Sequence, residues 1–315
     1  MHPSRLHPRG AARRPGMGPL LLALLALLGG CRPAPAELPG AASEPAGAVR
    51  ALAGHLQRND LVGFARAALP PAEHARLAEA WRQDRSRWPV TELPLDDRLA
   101  PMLAALSAPG AERSLRREFD RQFAGQDAAL RDAARSLALF GGQYLKQQGD
   151  YSPEEREHYT QVVAALGTWA AQAPLARRDH AHAAIDRLAV AARATGLASE
   201  ADLREAGMEE TLRRLGPFVG ETKAVLAGYG LDLDRSLADL RTGLVEQQGD
   251  HATVRIHYPL AGTEIDTVVS LTRRDGHWYL TDYLDHAAGL LAEPAEGQTG
   301  LPAVAAPAAP PPPAR

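Results

Sequence analysis

Cysteine, lysine and aromatic residues are all scarce in this 315-residue chain. The one cysteine, Cys31, excludes an intramolecular disulfide frame and a cysteine-based zinc site. Lysine occurs only at Lys146 and Lys223, so the many arginines reflect composition and mark no phosphate or carboxylate site. Aromatics make up 5% of the chain, which implies Ala-rich helix faces packed closely rather than a wide cavity. The most apolar run, Leu20–Leu28, is far short of the roughly 20 residues that cross a bilayer. G-x-S-x-G, H-E-x-x-H, the phosphate-binding loop and G-x-G-x-x-G are all absent. Nothing therefore points to a nucleophile, and no cofactor is expected.

The N-terminus has a definite order. Met1–Gly18 holds Arg5, Arg9, Arg13 and Arg14 and no acid; the Leu20–Leu28 run and two glycines follow. Basic, apolar, small is the order of a secretory signal peptide, here residues 1–30. Leu28-Gly29-Gly30-Cys31 resembles a bacterial lipobox. The resemblance implies a lipoprotein in which Cys31 becomes the first mature residue and carries acyl chains such as palmitate. Stable anchoring takes more than one chain, and lipoproteins of this kind carry several. Arg32 stands where an Asp favours inner-membrane retention, so the resemblance implies the outer membrane, facing the periplasm. The alternatives for Cys31 are a free thiol or an intermolecular disulfide; its place at the cleavage point favours the lipid. Loss of residues 1–30 removes four arginines and no acid, taking the formal charge from −3 to −7. An acidic surface argues against nucleic-acid binding and against capture by anionic lipid, leaving the acyl chains as the membrane anchor.

Residues 31–43, rich in Pro and Ala, read as a tether, and residues 287–315 as a disordered Pro/Ala tail. Between them, residues 44–230 are helical in pattern. Ser43 can cap a first helix with Val49, Leu52, Ala53 and Leu56 on one stripe. Asn59-Asp60 starts a second, and Pro70-Pro71 a third with Leu77, Ala80 and Trp81 inward. Ser152-Pro153-Glu154-Glu155 is a capping sequence that opens a helix carrying Tyr159, Val162, Val163, Leu166 and Trp169. Pro174 begins another, closing at Gly196, and Gly216-Pro217 should break or kink the helix that contains it.

From Thr242 the period changes to two. Runs at Thr242–Gln247, Ala252–Leu260, Thr263–Arg273 and His277–Asp285 are separated by Gly249-Asp250, Ala261-Gly262 and Asp275-Gly276, the pattern of a four-stranded antiparallel meander. Residues 231–286, a helix and this meander ending Asp275-Gly276-His277-Trp278, resemble the C-terminal part of cystatin-like and nuclear-transport-factor-like α+β folds. Those folds serve as enzymes, ligand cups and assembly modules, so fold alone names no function.

Two constellations could carry chemistry. Two-residue turns at Ala261-Gly262 and Asp275-Gly276 would align His257, Asp266 and Asp285 across three strands, the geometry of a general base or half a metal site; the alternative is a solvated cross-strand pair. The same arithmetic puts Asp282 on the apolar face. Glu155 with His158, and Asp179 with His182, are carboxylate–histidine pairs at i,i+3, as in di-iron bundles, or simply solvated helix faces.

The expected fold is α+β, a mostly helical body followed by a small meander packed on helices. The expected function is non-enzymatic binding or assembly at the envelope, with a membrane anchor and an envelope protein as partners. The alternatives are an enzyme or metal protein using the residues above, or a carrier with Trp278, Tyr279 and Tyr283 lining an apolar cup. Replacing Cys31→Ser is expected to abolish lipid labelling and to release the protein from the membrane fraction; unchanged processing and fractionation would refute the lipobox reading.

Overall fold

A computed structural model describes residues 44–92, 98–147 and 151–292. The signal segment, Cys31, the 31–43 tether with Ser43, and residues 293–315 of the tail lie outside the described residues. The helices are α1 (Pro45–Gln57), α2 (Leu61–Ala68), α3 (Pro71–Arg82), α4 (Leu99–Ser107), α5 (Ala111–Gln122), α6 (Asp127–Gln147), α7 (Pro153–Gln172), α8 (Arg178–Thr195), α9 (Glu200–Gly228) and α10 (Leu233–Ala238). A 3-10 turn, Val90–Glu92, separates α3 from α4. Strands β1 (Arg241–Gln248), β2 (His251–Leu260), β3 (Thr263–Arg274) and β4 (His277–Leu280) follow, and α11 (Thr281–Leu291) closes the fold. The architecture is α+β, with the sheet after the helical body.

The helix starts follow their capping chemistry. Asp60 accepts from the Gly63 amide at the start of α2. Ser152 and Glu155 form a reciprocal capping box at the start of α7. The helix expected from Pro174 begins instead at Arg178, because Pro174–Arg177 closes a turn through Arg177 N–H to the Pro174 carbonyl. The body's core gathers Leu77, Trp81, Trp88, Leu103, Leu212 and Leu215 around α9.

The expected break at Gly216-Pro217 falls instead at Gly207, whose φ is +73°. The carbonyl of Leu203, which would bond the residue-207 amide in a regular helix, accepts instead from the Trp81 indole at 2.8 Å and the Thr211 hydroxyl at 3.3 Å. Gly216 serves close approach: a Cβ there would sit 2.6 Å from the Asn59 carbonyl oxygen.

Lys223 joins three elements. Its buried ammonium donates to the carbonyls of Leu56 (2.9 Å) and Gln57 (3.0 Å), at the end of α1, and pairs with Asp234 of α10. A cation at a helix C-terminus satisfies carbonyls that have no intrahelical partner and suits the helix dipole.

The sheet is an antiparallel meander in the order β1-β2-β3-β4. Leu260 faces Thr263, and the ladder runs through Ile256–Thr267 and Val254–Val269, as a two-residue turn at Ala261-Gly262 dictates. One face packs Val254, Ile256, Leu271 and Trp278 against Ala48 and Val49 of α1. Leu260 and Ile265 meet Ala165 of α7, with Val162, Leu166 and Trp169 around them. β4 pairs only with Leu271–Arg274, so the first half of β3 is an open edge. Gln161 of α7 covers it: its amide donates to the Asp266 carbonyl (3.1 Å) and accepts from the Asp266 amide (3.0 Å).

The fourth strand is shorter than expected. The run His277–Asp285 changes period at Leu280: Leu284, Ala287 and Leu291 recur at helical spacing and turn onto the body as α11. Residues 287–291, expected in the tail, belong to this helix, and Asp282 sits in its first turn rather than on a strand.

The two lysines should behave oppositely. Lys223→Met leaves two carbonyls and Asp234 without their donor and should cost about 2 kcal/mol in urea denaturation. Exposed Lys146→Met should leave the midpoint unchanged. Equal midpoints for both variants would refute the junction.

Candidate functional site

The first expected constellation is half formed. His257 and Asp266 face each other across β2 and β3, with Nδ1 and Oδ1 3.6 Å apart and both side chains more than a third exposed. Arg255 lies 3.7 Å from the same carboxylate oxygen. Asp285 is absent from this row because β4 has ended: it sits on α11, in a shallow groove with Glu73, Arg76 and Arg274. The three-strand row is therefore corrected to a half-exposed cross-strand pair, with Asp266 Oδ1 itself shielded from solvent and beyond hydrogen-bond distance of His257.

The second constellation does not assemble either. Glu155 is occupied by its capping box. His158 Nε2 lies 2.8 Å from the Tyr258 hydroxyl. Burial lowers the His158 pKa and pushes the Tyr258 phenol up to about 12, so this is a neutral hydrogen bond joining α7 to β2. Asp179 is held down to about 2 by its hydrogen bond from Arg177. His182 Nε2 lies 2.9 Å from Asp120 of α5. The four side chains serve four different contacts, and among the described residues no cluster of three or more His, Cys, Asp or Glu could hold a metal.

The expected cup lining is core. Trp278 packs against α1 beneath the sheet, Tyr279 enters the body's core, and Tyr283 sets its ring edge-to-face with Phe64 at 5.9 Å.

One titratable cluster was not legible in the sequence. Glu92 of the 3-10 turn lies 2.7 Å from His286 of α11, near Asp282, Tyr159 and Tyr283. Burial raises the Glu92 pKa from 4.5, outweighing the attraction of His286; burial, Glu155 and Asp285 raise that of Asp282. Burial likewise raises the Tyr159 and Tyr283 phenols. Nothing near Glu92 in sequence announces His286, 194 positions away.

The most unusual surface is on α6. This helix has no buried residue and packs along α7 with no comparable contact to another element among the described residues. The crossing is close: a Cβ on Gly167 would lie 2.2 Å from the Ala138 Cβ, and one on Gly141 would lie 3.2 Å from Val163. Leu130, Ala134, Ala138, Gly141 and Leu145 form the half-buried stripe toward α7. A second stripe, about a third of a turn away, carries Ala129, Ala133, Leu137, Phe140 and Tyr144. Leu137, Phe140 and Tyr144 are 71%, 66% and 65% exposed. On the other flank Ala138, Gly142, Ala164, Gly167 and Thr168 line a groove of about 590 Å³. The signal was present in the sequence, since Asp127–Gln147 is apolar on two stripes where a helix with one neighbour needs one.

Comparison with protein families, characterised proteins and solved structures finds no match to this chain.

Glu92 supplies a pH test. Its raised pKa means that the folded state holds the proton more tightly, so this group's contribution to stability falls as pH rises above 4.5. The melting temperature of Glu92→Gln, measured against the native chain, should improve as pH rises above 4.5. A change in the opposite direction would mean that the His286 pairing outweighs burial.

Proposed function

We infer that this chain is a lipid-anchored envelope protein that works by docking a protein partner on its α6–α7 arm. The observation that carries this reading is the exposed stripe of Leu137, Phe140 and Tyr144 on a helix that, among the described residues, packs chiefly on α7. Single apolar residues are ordinary on protein surfaces, but contiguous ones on a regular element mark an interaction site. The dispersal of the carboxylate–histidine candidates into separate structural contacts favours docking over catalysis at those residues. The lipobox-like Leu28–Cys31 supports attachment to the outer membrane with the folded part in the periplasm.

A photo-crosslinking side chain at Phe140, incorporated in cells, should give an adduct of one discrete mass in the membrane fraction. The same group at exposed Glu205 of α9 should give none. The double variant Leu137→Glu/Tyr144→Glu should melt like the native chain, since both residues are exposed, yet lose the Phe140 adduct. Equal crosslinking from Phe140 and Glu205, or an adduct indifferent to the double variant, would refute the docking face.

A further inference from the structure

The α6 stripe is graded in size. Its first half offers Ala129 and Ala133, its second half Phe140 and Tyr144, with Leu137 between. All five charged residues of the helix, Asp127, Arg131, Asp132, Arg135 and Lys146, lie off this stripe. We propose that the stripe pairs antiparallel with the same stripe of a second copy of this chain. This rests on reading α6 as the docking face and names its occupant.

The grading decides the direction. Antiparallel pairing centred between residues 136 and 137 sets each Phe140 over Ala133 and each Tyr144 over Ala129, with the two Leu137 side chains meeting at the centre. Large then fills small along the whole contact, as close packing demands. Parallel pairing would crowd aromatic on aromatic at one end and leave alanine facing alanine across a gap at the other. Antiparallel helices also set their dipoles in the favourable sense. The two-fold axis makes the surface its own complement, as a closed dimer requires. No ion pair has to be desolvated, since the stripe carries no charge.

The area suits such a pair. With Leu137, Phe140 and Tyr144 71%, 66% and 65% exposed, full burial of the stripe on both copies would reach at most about 1,000 Å², the lower bound for a specific interface. Chains held at one membrane would meet at raised effective concentration, so an interface of this size suffices there. The stripe stands clear of the α7 contact, and two α6–α7 hairpins would complete a four-helix layer.

Disulfide mapping in the full chain tests both occupant and direction. In the anchored chain Cys31 is spent as a thioether, so an introduced cysteine carries the one free thiol, and the chain without an introduced cysteine is the control. Leu137→Cys should couple to itself. Ala133→Cys mixed with Phe140→Cys should give the crossed disulfide about tenfold faster than either variant couples alone, because identical positions are offset by about 10 Å along the axis and a disulfide spans at most about 7 Å between Cα atoms. Adding Leu137→Glu should suppress the crossed product. Self-coupling of Ala133→Cys as fast as the crossed reaction would indicate parallel or random contact and overturn the proposal. The absence of any disulfide would overturn it as well. A Phe140 photo-adduct to a different protein or to lipid, without disulfides, would also overturn the second copy as occupant. The protein adduct would leave the docking face standing; the lipid adduct would remove it too.

Discussion

A shortage of aromatic side chains is the constraint on which the rest of this structure depends. With aromatics at 5% of the chain, the helices gain contact by bringing backbones together rather than by interdigitating bulk. Gly216 meets the turn between α1 and α2 at Asn59, and Gly167 meets Ala138 where α7 crosses α6. Three of the four tryptophans fill the centre: Trp81 and Trp88 in the body and Trp278 under the sheet. In such a chain, Phe140 and Tyr144 on the outside of a helix are a use of scarce material that folding alone does not explain.

Single polar side chains act as joints between elements. Lys223 closes the end of α1 and ties α9 to α10, which leads into the sheet. Gln161 presents its amide to the open half of β3 as a neighbouring strand would. The Trp81 indole restores the carbonyl partner lost at Gly207. Each joint couples elements far apart in sequence, and together they settle the sheet on the helical body. None of them holds α6, which leans on α7 through small residues and is otherwise exposed among the described residues.

The sequence was most informative where the physics is local. The capping box at Ser152–Glu155, the inward stripe of α3 and the register across Ala261-Gly262 follow from spacing and turn chemistry over a few residues. The sequence misled where two local patterns compete. His277–Leu280 alternates as a strand, but Leu284, Ala287 and Leu291 then turn the chain onto the body as α11, which removes Asp285 from the expected row. Gly216-Pro217 reads as a breaker, yet Gly207 interrupts the helix while Gly216 admits Asn59. Glu92 with His286, and Lys223 with Leu56, depend on tertiary placement that no local pattern carries. The α6 stripe could have been found, because a helix apolar on two sides announces two neighbours, and α7 supplies only one.

The molecule therefore divides into a body whose helices and sheet cover one another and one helix, α6, whose outer stripe is exposed among the described residues; the proposal seats a second copy of the chain there. Amide hydrogen exchange, followed over about a hundredfold range of protein concentration, tests that division most directly, because only contacts between copies respond to mass action. Exchange in α6 should slow as concentration rises, while α9 and β2 keep the same rates throughout. Exchange in α6 that is indifferent to concentration would contradict the account.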